Sequence, residues 1–105
     1  MSVIKRECTF TGRAFCSVDE SNPEFVKGMR AAYIPIVCKA GDVQEAIGMM
    51  VSELSENALS LRGFDYIFDI NFLDRPTSEV EDKLIEKLSS YPVQFENVHF
   101  FKPDS

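Results

Sequence analysis

The stretch from Ala31 to Phe72 constrains the fold of this chain more than any other, because three different periodicities follow one another within it. Ala31 to Ala40 is apolar at nearly every position, the composition of a strand with neighbours on both sides and cover on at least one face. Pro35 has no N–H to give a ladder, so this strand is expected to be partly an edge or to carry a bulge there. Gly41 ends the run. Asp42 and Glu45, three residues apart, then have the spacing of an N-cap and its reciprocal partner, with both carboxylates at the positive end of a helix dipole. Val43, Ala46, Ile47, Met50, Val51, Leu54 and Ala58 recur at three- and four-residue intervals as one apolar helical stripe, and Asn57 supplies a C-terminal signal. Phe64, Tyr66, Phe68, Ile70 and Phe72 then alternate with Asp65, Ile67, Asp69, Asn71 and Leu73. That is the period of a strand with its aromatics in the core and its carboxylates in water. A strand, a helix and a strand of these lengths predict a right-handed crossover between parallel strands.

Upstream, Cys8, Phe10, Gly12, Ala14, Cys16 and Val18 alternate with Thr9, Thr11, Arg13, Phe15 and Ser17, which predicts a long strand with a semi-polar outer face. Asp19 to Pro23 is turn chemistry, and the connection runs on to about Arg30 with Phe25, Val26 and Met29 in it, as in a packed lid or binding loop. Downstream, Asp74 to Thr77 is a break and Ser78 with Glu81 forms a second capping box. Val80, Leu84, Ile85, Leu88 and Tyr91 give a second helix its stripe, Pro92 stops it, and Val93 to Lys102 reads as a last strand with a bulge near Asn97. The element order is therefore β-β-α-β-α-β in a single domain over residues 1–105. The expected fold class is an α/β (α+β-like) two-layer sandwich, with a four-stranded mixed sheet and both helices on one face. The wet sides of the first and third strands would then share an open face carrying Thr9, Thr11, Arg13, Asp65 and Asp69, with Tyr33 and Lys39 beside them.

Charge is unevenly placed along the 105 residues. The net charge is -6, but residues 42–82 hold ten acidic and two basic side chains while the flanking segments hold as many basic as acidic ones or more. A field of that sign repels nucleic-acid backbones and acidic membranes and favours encounter with a basic partner. There is no apolar run near the ~20 residues of a membrane span, and the polar start Met1 to Glu7 is not a signal peptide. A cytoplasmic protein is the expectation. Cys8, Cys16 and Cys38 lack CxxC spacing and each falls on the apolar phase of a strand, which suits reduced core thiols.

Motifs for catalysis are sparse. Gly12, Gly28, Gly41, Gly48 and Gly63 are scattered, and none forms a phosphate loop. His99, the one histidine, lies between Val98 and Phe100 with no nucleophile motif near it, so an enzyme built on it ranks last. Asp65 and Asp69 are about 13 Å apart if they share a strand, too far to share a proton or one metal. No cofactor and no metal site is expected, and basic patches interleaved with aromatics are absent.

An acidic single-domain α/β chain without a reaction motif, with Asp65, Asp69, Asp74, Glu79 and Asp82 clustered mid-chain, resembles the immunity proteins that bacteria keep against their own secreted toxins, including those of contact-dependent inhibition. The resemblance covers size, charge and layout. It implies a non-enzymatic inhibitor that covers the active site of a cationic toxin domain, often a nuclease. Its partner-binding residues would be those five carboxylates, with Tyr33 or Phe25 as an apolar anchor. The alternative is an oligomeric small-ligand-binding or regulatory domain, in which the open face bearing Phe15, Tyr33 and Ile67 pairs with a second copy as a homodimer.

Overall fold

The computed structural model describes residues 7–21 and 31–96. Phe25, Met29, Asn97, Val98, His99 and Phe100 lie outside the described residues, and with them the expectations placed on the long loop and on the far end of the last strand.

The chain runs β1 (Cys8–Val18), β2 (Ala31–Ala40), α1 (Val43–Glu56), β3 (Leu59–Asp69), a 3-10 turn (Ile70–Phe72), α2 (Glu79–Glu86), a second 3-10 turn (Lys87–Ser89) and β4 (Val93–Phe95). The helices start where their caps place them. The Glu45 N–H donates to Asp42 Oδ1 at 2.8 Å. At α2 the Glu81 N–H donates to Ser78 Oγ at 3.2 Å while the Ser78 N–H donates to Glu81 Oε1 at 2.8 Å, a complete capping box. Asn57 caps the end of α1, and Ala58 turns the chain with φ at 59°.

The four strands lie in the order β3-β1-β2-β4 and every neighbouring pair is antiparallel, so the expected mixed sheet is not formed. The crossover carries the reason. β2 and β3 do run in the same direction, but β1 occupies the place between them, antiparallel to both. The long alternating strand at the start of the chain satisfies the inner backbone edges of both, and no parallel ladder remains to be made. Pro35 fits because its carbonyl accepts the Glu96 N–H at 3.1 Å on the β4 side, where β4 pairs only with Ile36 to Cys38. The missing N–H therefore falls where β2 is nearly an edge.

The helices lie on opposite faces, which replaces the expected two-layer sandwich. Ala46, Met50 and Leu54 of α1 pack with Phe10, Ala14, Cys16, Ile34, Ile36 and Cys38 in the main core. Val37, between two of those residues in an alternating strand, points the other way and is buried against Leu84 and Leu88 of α2. Two buried leucines are a small anchor, worth roughly 2 kcal/mol each, and α2 leaves much of its face uncovered. Val43 and Val51 of the predicted α1 stripe are exposed, as is Tyr91 beyond α2.

Candidate functional site

The second sheet face owes its chemistry to two bulges in β3. Register shifts between Arg13 and Ala14 and between Phe15 and Cys16 leave Asp65 and Arg62 as the extra residues opposite β1. A single inserted residue moves every later side chain to the other face. Leu61, Phe64 and Ile67 therefore pack on the main core. Tyr66 and Phe68, expected inside, stand on the α2 side opposite Arg13 and Thr11. Tyr66 and Phe68 stack with centroids 6.1 Å apart, and Phe15 lies 5.0 Å from Tyr33. The Arg13 guanidinium sits 4.4 Å over the Tyr33 ring and 3.5 Å from the Asp65 carboxylate. An open groove of about 470 Å³ runs between this face and the start of α2, lined by Arg13, Tyr33, Pro35, Tyr66, Val80 and Glu81 among others.

At the edge of that groove lies the most perturbed carboxylate among the described residues. Glu81 is only 4% exposed. The Thr11 hydroxyl donates to its Oε2, and Arg75 Nη1 donates to its Oε1 at 2.8 Å, forming an ion pair as well as a hydrogen bond. Arg75 also reaches Tyr66 Oη at 3.3 Å. Burial pushes the Glu81 carboxyl up, but the Arg75, Thr11 and Ser78 donors outweigh it and bring its pKa down to about 2. The Glu81 hydrogen bond in turn raises the Arg75 pKa. A carboxylate held ionised and fully engaged joins α2 to the sheet and has no proton to exchange near neutrality. Among the described residues no buried side-chain nitrogen or oxygen lacks a partner, and no group of three His, Cys, Asp or Glu is placed to hold a metal ion.

The predicted partner-binding residues divide. Asp65 is exposed at a bulge beside Arg13. Asp69 does not share that position: it ends β3 opposite Phe10, and its Oδ1 accepts the Asn71 N–H at 2.9 Å to start the 3-10 turn. The predicted strand through Phe72 thus stops at Asp69, because an Asx cap satisfies the backbone locally. Asp74 is exposed in the loop before α2. Glu79 and Asp82 lie in the first turn of α2, the former 3.6 Å from Lys83 and the latter accepting the Thr77 hydroxyl at 2.5 Å. Tyr33 is 40% exposed on the open face. The acids therefore spread from the outer strand to the second helix, three of them engaged by a neighbouring side chain.

Sequence reasoning missed Tyr66, Phe68 and Phe72 as surface groups. Gly63 inside an aromatic strand was the available signal, since an isolated glycine there marks a bulge. No helix among the described residues is long and apolar enough to cross a membrane. No family model, characterised protein or solved structure matches the chain.

Proposed function

We propose that this chain is a non-enzymatic binding module whose partner is a basic protein, in the manner of an immunity protein that occludes a cationic toxin domain. The observation that carries the reading is the half-covered second face. Phe15, Tyr33 and Phe68 are 36, 40 and 49% exposed there, with Asp65 beside them. Aromatic and arginine side chains within an acidic surround have the composition of interface hot spots, and the carboxylates would speed encounter with a basic surface. The satisfied state of Glu81 supports a structural role for the most strongly perturbed acid among the described residues.

The test is titration calorimetry against the purified product of the adjacent gene. A complex is expected that weakens about tenfold in Asp65→Lys/Asp74→Lys. These two acids are chosen because Asp69 holds a turn and its replacement would confound docking with folding. Absence of a complex, or one indifferent to both charge reversals and to salt, overturns the reading. The groove beside Arg13 and Tyr33 favours a second reading, a small-ligand or regulatory domain. Light scattering that shows a dimer at micromolar concentration, dissociated by Tyr33→Ser, would select it.

A further inference from the structure

We infer that Phe68 and Phe72 are the apolar anchors of the docking surface, seating in an apolar recess whose rim is basic on a partner protein. This inference rests on the reading of the chain as a binder of a basic protein and places the contact at the outer end of β3.

Phe72 is 79% exposed, the highest value among the exposed large hydrophobic residues described. Its turn does not need it. The turn is begun by the Asp69 carboxylate on the Asn71 N–H and closed by the Leu73 N–H on the Ile70 carbonyl at 3.4 Å, and neither bond uses the Phe72 side chain. A phenylalanine held in water forgoes the burial of its ring, which a partner would restore. Phe68, four residues earlier, is 49% exposed with one ring face stacked on Tyr66. Phe68 near the end of β3 and Phe72 in the turn that directly follows are thus two exposed rings on one short stretch of chain.

The surrounding charge selects the occupant. From Asp65 to Asp74 the chain has three carboxylates and no cation of its own; Arg13 lies 3.5 Å from Asp65, Asp69 and Asp74 have no basic side chain against them among the ion pairs described, and Arg75, the next residue, is turned onto Glu81 and Tyr66. A second copy would bring the same three carboxylates, and its own net charge of -6, against this rim. An anionic membrane is repelled in the same way. Strand addition at the β3 edge is opposed by its two bulges, which break the ladder a new strand would need. A protein with lysine or arginine around an apolar hollow answers both features at once.

The probe is a phage-displayed library of random peptides selected on the immobilised full chain at low ionic strength. Expected are peptides that combine Lys or Arg with large apolar residues and that bind Phe72→Ala and Phe68→Ser about tenfold more weakly. The urea midpoint of Phe72→Ala should stay at that of the parent, since the side chain is exposed. Basic peptides that bind both variants as well as the parent overturn the anchor assignment and leave the basic-partner reading standing. Selection without basic enrichment overturns that reading itself. Co-sedimentation with zwitterionic vesicles abolished by Phe72→Ala, or a dimer by light scattering abolished by the same change, would overturn the assignment of a protein partner in favour of a membrane or a second copy.

Discussion

Removal of the Glu81 carboxylate is the sharpest test of how this fold is held. The side chain is 5% exposed and accepts from Thr11, Arg75 and the Ser78 N–H, while the apolar anchor of α2 centres on Val37, Leu84 and Leu88. Lowering of its pKa from 4.5 to about 2 is equivalent to roughly 3 kcal/mol of native-state stability at neutral pH. Glu81→Ala forfeits that and strands the Thr11 hydroxyl and the Ser78 N–H, so the expected loss is about 3–5 kcal/mol. Glu81→Gln keeps one acceptor oxygen but sets an amide against Thr11 or Ser78, for a loss of about 2 kcal/mol. With a urea m-value near 1–1.5 kcal/mol/M for a domain of this size, the midpoint of Glu81→Ala should fall by about 2–5 M. The pH dependence follows from the direction of the shift. A carboxyl with its folded pKa depressed contributes fully above its unfolded value of 4.5, and that contribution is lost as pH falls toward 2. The gap between the parent and Glu81→Gln should therefore narrow from pH 5 to pH 2. An alanine variant within about 0.5 kcal/mol of the parent at pH 7, a difference typical of neutral surface changes, would refute the reasoning. So would a gap that does not depend on pH.

Other positions give independent checks. Ala58 adopts a left-handed φ of 59° at the end of α1, so Ala58→Gly should raise stability by about 0.5–1 kcal/mol in urea unfolding. Gly12→Ala would bring a Cβ to 3.0 Å from the Tyr66 carbonyl, and a loss of roughly 1 kcal/mol is expected as β1 and β3 part to admit it. Asp42→Ala should lose about 1 kcal/mol with the N-cap of α1, read in the same assay. Burial pushes the Cys16 and Cys38 thiols up to about 11, the latter with help from Glu45, so maleimide should label Cys8 first and reach the other two only on unfolding.

Much of the local structure was legible in the chain. β1 and β2 have the predicted extents, and Asp42, Ser78 and Glu81 start the helices as their spacing requires, because a cap needs only residues three apart. The alternation in β1 also identified Phe10, Ala14, Cys16 and Val18 as core. The β3 face assignment failed beyond Asp65, since a bulge is decided by how two strands meet and reverses the inside and outside of every residue after it. Hence Tyr66 and Phe68 moved from expected core to the open face, and Ile67 moved the other way.

Sequence alone determined the extents of β1 and β2, the helix starts and their caps, the thiols' apolar setting and the concentration of negative charge in residues 42–82, all of which depend on neighbours a few positions apart. Tertiary structure alone decided that β1 separates β2 from β3, that the helices take opposite faces, and that Glu81 of a capping box is also the bond between α2 and Thr11, 70 residues earlier. Those outcomes depend on which distant backbone edges and polar groups satisfy one another once the chain closes, and no local period records that choice.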